Sequence, residues 1–596
     1  MSSQREIVKK FCHSQLGHAI HIPNVRTKLY VESTKIFQTL YENSNQKDLD
    51  VFADLYSNVL KQQTYLVEEH YGPVAIKERN IYLELERVWT LCQVLYFPGA
   101  DQTHISIRLM NWYNKCHKSY LLEFDRQSIY YSQSVFDHAN FWPYTIRLVL
   151  LGQLENVSTL LNHVLSDPGF KVHKNLARYI EFIRDLTGKE ILFFESHHGR
   201  IQAILTELRQ LPYSVHVKYI IDVLSILMGN EQVILQYAND DVLGFITSNF
   251  YQRDHYNTSI HEFAQHFFTR HSSNDQSPLR FFLEGNLYRG LECSASYDWW
   301  FIAHLSDLLE KKNLLNCTLD YSIANGDTLK MNARDYFILT YASYLNNQFG
   351  LWKESFTCLM TCGELGKAVV IEHLKNMDFQ NDDEKLNSVV KFCIDYSMKN
   401  DGLILYEKKA TICLASKNYQ KALQYYNQAE KYQYLDQVFS AVLKDYIYTG
   451  KLYDIELFKD TSNYSGVYYI VYRDISYINQ LFLKEQFHMA ADIFNCLLKH
   501  SSIPNQLMPI VFAEGWKLID RRSNFTLNDL LQMKNLLADL GRSITVQDFT
   551  WYHYYIHLDS TPSSDTPPDG LLLNDKTEFF NSAAVIISRA IDTFSQ

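Results

Sequence analysis

The stretch from Asp298 to Leu374 carries the densest helical pattern in this 596-residue chain. It reads DWWFIAHLSDLL at residues 298–309 and NARDYFILTYASYLNNQFGLWKESFTCLMTCGELGKAVVIEHL at residues 332–374. On both sides of Gly350, large apolar residues recur at the i, i+4, i+7, i+8 spacing of an amphipathic helix: Phe337, Tyr341, Tyr344 and Leu345 before it, Trp352, Phe356, Leu359 and Met360 after it. The pattern predicts two helices joined by a short turn.

The segment that precedes this pair is apolar nearly all round a helix, with Trp299 and Trp300 at its start. Such a helix is stable only where protein covers it on several sides. We therefore expect the deepest part of the core in the middle of the chain. The predicted core-packing residues are Trp299, Trp300, Tyr341, Trp352 and Trp142.

Composition favours an all-α chain. Apolar residues make up 46% and charged residues 21%, as in ordinary globular proteins. Proline, the main helix breaker, is absent between Pro278 and Pro504. A chain of this length exceeds a single compact core, so we expect an elongated array of helices.

The second helices of several predicted helical hairpins share one pattern. In it, a large residue is followed by a smaller one three positions later and by another large residue four positions beyond that. The instances are Leu154/Val157/Leu161, Trp352/Ser355/Leu359, Tyr419/Ala422/Tyr426 and Phe487/Ala490/Phe494. The last three are 67 and 68 residues apart, near twice the 34-residue tetratricopeptide period. Half-way between the last two instances, at Tyr453 and Glu456, the pattern is absent. We therefore predict an irregular α-solenoid of stacked helical hairpins.

Several segments, in order along the chain, resemble the nucleoporin eighty-five family of nuclear pore scaffold proteins. They are ERVWTLCQVLYF at 86–97, NFWPYTIRLVLLGQLENVSTLL at 140–161, the blocks within 296–374 described above, and QFHMAADIFNCLL at 486–498. These are packing motifs, so the resemblance implies an architecture and not a chemistry. It implies a trunk, a crown around which the chain makes a U-turn, and a tail.

The resemblance implies four domain ranges: 1–130 for the first part of the trunk, 131–276 for the crown, 277–430 for the second part of the trunk and 431–596 for the tail. The tail contains the one linker-like segment, STPSSDTPPDG at 560–570, with three of the twelve prolines. This composition predicts a flexible loop.

Family members begin with a short β segment that completes the open propeller of a Seh-type WD-repeat partner. Here Arg5 to Cys12 already resembles the helical region that follows this segment. We therefore expect the N-terminal blade to be absent, and the assignment of a Seh-type partner is in doubt.

No motif predicts catalysis, and we expect no catalytic, metal or cofactor-binding residue. In His261-Glu262-Phe263-Ala264-Gln265-His266 the second histidine is at i+5, on a different helix face from the first, unlike a zinc-protease HExxH. Cys358 and Cys362 share a face but have no second ligand pair nearby. Ser196 precedes two histidines without the turn of a nucleophile elbow.

Charge and hydropathy narrow the class of partner. The net charge of −11 offers no basic field for nucleic acid. No apolar run reaches the roughly 18 residues that span a bilayer, and the N-terminus does not resemble a signal peptide. Ten scattered cysteines without a CxxC pair predict neither a disulfide framework nor a zinc knuckle.

Two function classes fit these observations. One is a structural scaffold of the nuclear pore complex at the nuclear envelope, in its Y-shaped outer-ring subcomplex, supporting transport of mRNA and protein. The alternative is a tetratricopeptide-like adaptor or a vesicle-coat-related scaffold subunit. The family resemblance favours the nucleoporin scaffold, which has other Y-complex nucleoporins as partners at the hub.

The C-terminal segment carries a continuous apolar stripe. Its members are Phe579, Ala583, Ile586, Ile587, Ala590 and Phe594. The stripe either packs on the tail's own helices or, as the resemblance implies, faces partner helices at the hub. The predicted partner-binding residues are Phe579, Ile586, Ile587, Ala590 and Phe594.

Overall fold

The computed structural model describes fourteen segments of the chain. They are residues 23–42, 49–69, 72–101, 103–116, 120–188, 197–238, 241–252, 259–270, 276–322, 328–379, 382–453, 466–519, 525–557 and 569–593. These segments contain 29 α-helices and one two-stranded hairpin, which confirms the all-α prediction. None of the helices described combines the length and apolarity that crossing a bilayer requires.

The chain forms two compact units, Met1–His373 and Leu374–Gln596. The boundary falls inside the predicted second trunk segment, 277–430. Residues 5–12, on which the expectation of an absent N-terminal blade rests, and most of the predicted loop at 560–570 lie outside the described residues.

The first unit begins with long helices and continues through shorter ones. In order they are α1 Pro23–Glu42, α2 Leu49–Glu68, α3 Pro73–Tyr96, α4 Ile105–Cys116, α5 Tyr120–Tyr130, α6 Phe141–Leu150, α7 Leu154–Ser166, α8 Ala177–Thr187, α9 His198–Leu208, α10 Val215–Leu227, α11 Glu231–Ala238, α12 Val242–Gln252, α13 Ile260–Arg270, α14 Pro278–Leu283, α15 Leu287–Ser294, α16 Trp299–Lys311, β1 Thr318–Ser322, β2 Thr328–Asn332, α17 Ala333–Phe349, α18 Trp352–Leu359 and α19 Gly363–Asn376, which contains the unit boundary.

The N-terminal helices pack against helices that come more than 180 residues later. Helix α1 contacts α17 and α18, α2 and α3 contact α16, and α3 also contacts α14. The core of this unit therefore joins the beginning of the chain to the stretch that begins at Asp298.

The two helices predicted around Gly350 are present as α17 and α18. Gly350 takes a left-handed conformation with φ 67°, and its amide donates to the Asn346 carbonyl at 3.1 Å. The next amide, of Leu351, donates back to Leu345 at 3.1 Å. This pattern ends a helix abruptly and requires a residue that tolerates positive φ.

The same left-handed turn precedes the other predicted second helices. Gly152, Lys417 and Glu485 have φ values of 65°, 58° and 57°, each two residues before the large residue that opens the next helix. The small residues of the recurring pattern, Ser355, Ala422 and Ala490, are fully buried. A small side chain here allows the neighbouring helix to approach closely.

The hairpin of β1 and β2 is an element that the sequence analysis missed. Its antiparallel register pairs Thr318 with Asn332 and Ser322 with Thr328. Asn325-Gly326 between two short runs is a hairpin signal that could have found it. The helical periodicity of the flanking segments obscured it.

The second unit continues with ten helices in its described residues. They are α20 Asp383–Asp395, α21 Lys399–Ala415, α22 Tyr419–Gln428, α23 Leu435–Thr449, α24 Val467–Leu483, α25 Phe487–Leu498, α26 Met508–Ile519, α27 Leu527–Ser543, α28 Thr550–Ile556 and α29 Asp569–Asp592. Thr526 and Asp529 form the capping box that begins α27.

Candidate functional site

Three charged side chains are buried where the N-terminal helices meet α16. Arg26 of α1 donates through Nε to Glu78 Oε1 of α3, and its Nη1 lies 3.4 Å from Asp298 Oδ2. Asp298 is also the N-cap of α16, since its Oδ1 accepts from the Trp300 amide at 2.9 Å. Burial raises the pKa of Asp298, while the charge of Arg26 acts in the opposite direction. One network thus fixes three helices relative to one another.

A second buried network lies further along α1 and α16, at Tyr41 and Asp307, and it includes α17. Arg334 of α17 donates two hydrogen bonds to Asp307 Oδ1, at 2.9 Å from Nε and 2.8 Å from Nη2. Tyr41 of α1 donates to the same oxygen at 2.7 Å. Arg334 also donates to the Thr361 carbonyl at 3.0 Å. Removing Arg334 would leave the buried carboxylate of Asp307 without its charged partner.

An aromatic cluster occupies the space between the two networks. Trp300 and Trp89 are buried with ring centroids 5.4 Å apart, and the Trp89 indole donates to the Ala53 carbonyl at 3.0 Å. His304 stacks on Tyr56 at 4.6 Å. Neither ring nitrogen of His304 has a hydrogen-bond partner in the described part of the chain, and burial lowers its pKa to about 3. This histidine is therefore a neutral packing group.

These buried polar groups were not singled out in the sequence, although a signal for them exists. Arg334 shares a helix face with Ile338 and Tyr341, at i+4 and i+7, and both of these are fully buried. A charged residue on such a face must find a partner in the core. Which partner it finds, here Asp307 on another helix, is decided only by the packing.

The predicted core-packing residues differ in burial. Trp300 and Tyr341 are fully buried, and Trp142 is 3% exposed with its indole donating to His216 Nδ1 at 2.9 Å. Trp299 and Trp352 are only partly buried. Each of these two opens its helix, and Trp300, not Trp299, is on the face that meets α1 and α3 because adjacent helical residues lie about 100° apart.

The apolar stripe of α29 packs inside the second unit. Phe579 is fully buried among aromatic rings, with centroid distances of 5.6 Å to Trp516, 5.4 Å to Phe549 and 5.4 Å to Tyr552. Helix α29 contacts α26, α27 and α28.

The partner-binding prediction for this stripe therefore needs correction. Phe579, Ile587 and Ala590 are at most 6% exposed, so their side chains are already used within the unit. Ile586 is partly exposed, and Phe594 lies outside the described residues. The stripe follows the intramolecular alternative because α26, α27 and α28 supply apolar surface for it.

Other apolar side chains of the same helices face solvent. Leu527 and Leu531 on α27 are 43% and 42% exposed, and Leu573 and Val585 on α29 are 53% and 47% exposed. Leu531 and Val585 thus lie on the outer faces of two helices that pack against each other. These four exposed side chains, Leu527, Leu531, Leu573 and Val585, are together named the outer apolar surface.

The arrangement offers little for catalysis in the described residues. Burial raises the pKa of the Cys358 thiol well above its ordinary value and that of Cys362 to about 12, so neither is a thiolate at neutral pH. His261 donates through Nδ1 to the Leu283 carbonyl at 2.8 Å, while His266 is exposed. Neither histidine of the HEFAQH segment lies in a group of three ligand-type side chains close enough to hold a metal ion among the described residues.

A family model described as Nup85 nucleoporin matches residues 17–539 of the chain. This range covers both buried networks and ends within α27.

Curated relatives agree with this match over most of the chain. The zebrafish (Danio rerio) nuclear pore complex protein Nup85 is 22% identical over 528 residues, which cover 82% of this chain and 76% of the relative. The Xenopus laevis protein of the same name is 22% identical over 564 residues, with coverages of 87% and 83%. The human one is 22% identical over 570 residues, with coverages of 86% and 82%.

Proposed function

The chain belongs to the Nup85 nucleoporin family, and from this premise we propose that its second unit joins it to other nucleoporins of the Y-shaped outer-ring subcomplex. It is a scaffold nucleoporin located at the nuclear pore complex. The family match over residues 17–539 is the observation that carries this function. The proposal adds the surface that does the joining.

The described first unit suits a rigid part of a scaffold. Its networks around Arg26 and Arg334 join helices about 270 and 290 residues apart in sequence, as in the contacts of Arg26 with Asp298 and of Arg334 with Tyr41. Buried charged networks have one favourable arrangement, so they resist alternative packings. These contacts support the joining of 1–130 to the first part of 277–430 in the proposed trunk. The proposed crown, 131–276, and tail, 431–596, rest on the family resemblance.

The outer apolar surface of the tail is the proposed contact with partner helices. Leu531 and Val585 are each more than 40% exposed, and Ile586 is partly exposed. The cores of protein interfaces are depleted in charge and enriched in apolar side chains. The buried side chains of Phe579 and Ile587 contribute indirectly, since they hold α29 in place.

The proposed role needs no catalytic step, no cofactor and no nucleic acid. A scaffold works through contact area and stiffness, and the net charge of −11 disfavours phosphate backbones as partners. Transport of mRNA and protein then depends on this chain through the pore assembly that it supports.

The test is affinity purification of the tagged full chain from cells, with quantification of the co-purifying proteins. We expect nucleoporins, and the list decides whether a Seh-type WD-repeat propeller is among them. Recovery of vesicle-coat proteins or many unrelated clients in place of nucleoporins would contradict the scaffold function.

The surface is tested with the double variant Leu531→Asp, Val585→Asp. It should lose nucleoporins that bind the tail while its melting temperature stays near that of the unchanged chain. The matched control is Val172→Asp, an apolar side chain that is 83% exposed in the first unit. Equal recovery from both variants would place the partner contact elsewhere.

A further inference from the structure

Two groups of ligand-type side chains are close enough to share a metal ion among the residues described. One is Asp137, His173 and His216, and the other is His553, His557 and Asp575. Within each group the potential ligand atoms lie within 4.8 Å of one another. Around tetrahedral zinc, with bonds of about 2.0 to 2.1 Å to nitrogen, neighbouring ligand atoms are roughly 3.3 Å apart. Both groups therefore need only small side-chain movements to enclose an ion.

Hydrogen bonding excludes the first group as a metal site. The indole of Trp142 donates to His216 Nδ1 at 2.9 Å. An indole N–H is a donor only, so Nδ1 is the acceptor and neutral His216 carries its proton on Nε2. That nitrogen is the one facing Asp137, at 3.5 Å from Oδ1. Without a lone pair there it does not coordinate a metal, and the group is a hydrogen-bond cluster.

In the second group the hydrogen-bond partner described for His553 is a carboxylate and not a donor-only side chain. His553 and His557 are one helical turn apart at the end of α28, with ring centroids 4.7 Å apart. Asp575 comes from α29, and its Oδ2 lies 2.6 Å from His553 Nδ1. The contact to His553 Nδ1 is made by a carboxylate, which has no proton of its own to donate when ionised.

Burial in this group is graded from the inside outward. Asp575 is 6% exposed, the His553 side chain is 15% exposed, and His557 is on the surface. An ion can therefore enter from the His557 side, and water can complete its coordination there. The buried carboxylate supplies negative charge on the inner side.

We propose that His553, His557 and Asp575 form a binding site for one divalent transition-metal cation of the zinc class. Two imidazoles at i, i+4 and a carboxylate are ligands that zinc accepts, whereas magnesium and calcium prefer all-oxygen sites. In the metal-free chain a proton lies between His553 Nδ1 and Asp575 Oδ2. The cation would take the place of this proton, between the same two side-chain atoms.

The bound ion would connect α28 to α29, the helix whose stripe completes the core of the second unit. Binding only to the folded form stabilises it by mass action. The site would thus hold in place the helix that presents Val585 and Leu573 on the outer apolar surface.

The experiment is equilibrium dialysis of the full chain against zinc chloride at pH 7.5, comparing four proteins. The unchanged chain should bind one zinc equivalent more than His557→Gln and Asp575→Asn. The matched control, His216→Gln, should bind as much as the unchanged chain. Because other residues such as the ten cysteines can also bind zinc, the difference between variants is the quantity measured.

Two further readouts make the outcome decisive. Cobalt bound at this site should give visible absorption without a thiolate-to-cobalt charge-transfer band. Zinc should raise the melting temperature of the unchanged chain and not that of His557→Gln, whose altered side chain is at the surface and leaves the fold intact. The same zinc stoichiometry in the unchanged chain and in His557→Gln would overturn the proposal, as would an equal loss in His216→Gln.

Discussion

The indole nitrogen of Trp300 donates a hydrogen bond of 2.6 Å to Ser33 Oγ, across 267 positions of sequence. Both residues are fully buried. This contact joins α1 to α16 in the most enclosed part of the first unit. It shows directly that the beginning of the chain and the segment from Asp298 fold as one core.

Replacing Trp300 with alanine should therefore destabilise the first unit by about 3 to 5 kcal/mol, because the cavity cannot close and Ser33 loses its partner. Chemical denaturation with fluorescence detection measures the change. The neighbouring Trp299→Ala is the control, since that ring is only partly buried and its loss should have a smaller effect. Similar effects of the two variants would mean that α16 is not enclosed as described.

Arg26→Met should cost about 3 to 5 kcal/mol of folding free energy. It leaves the carboxylates of Glu78 and Asp298 buried without a compensating charge. Lys35→Met is the matched control, because Lys35 pairs with Glu32 at the surface, where the two side chains are 63% and 42% exposed. Such pairs contribute roughly 0 to 1 kcal/mol. Urea titrations of both variants should separate them clearly.

His304 should make the stability of the first unit dependent on pH. Its pKa falls from about 6.5 in the unfolded chain to about 3 in the folded one, so between these values only the unfolded chain binds the proton. The neutral ring's contribution to the free energy of unfolding is fully present above about pH 6.5. It is lost as the pH falls, by about 1.4 kcal/mol per pH unit.

The variant His304→Leu removes the ring that binds this proton. The free energy of unfolding should then depend less on pH below about pH 6.5. Unfolding free energies between pH 7 and pH 5 provide the measurement, with the difference in slope between the two proteins as the readout. Parallel slopes would show that the ring is solvated in the folded chain.

Glu485→Gly should stabilise the second unit. Glu485 is exposed and has φ 57°, a conformation that costs an L-residue roughly 1 to 2 kcal/mol. Glycine removes this cost but loses roughly 0.4 to 1 kcal/mol through the entropy of the unfolded chain. A net gain of about 0.5 to 1 kcal/mol should appear in the melting temperature. Glu485→Ala, which keeps the strain, should show no comparable gain.

The sequence by itself determined the class of fold and many of its local features. Periodic apolar residues and the absence of proline over more than 200 positions predicted serial helices, and Gly350 and Gly152 predicted turns that are present. The Thr526–Asp529 capping box was also readable, because caps and turns depend on residues three or four positions apart. The order of the packing motifs pointed to the family.

Only the tertiary structure decided which residues meet. The apolar stripe of α29 was compatible with packing inside the tail or against a partner, since periodicity shows that a face is buried and not what buries it. Packing on α26, α27 and α28 resolved this, and left Leu531 and Val585 outside. Likewise Asp298 reaches Arg26, and His553 reaches Asp575, through contacts between separate helices. Such contacts depend on the summed packing of the whole unit, which no local pattern encodes.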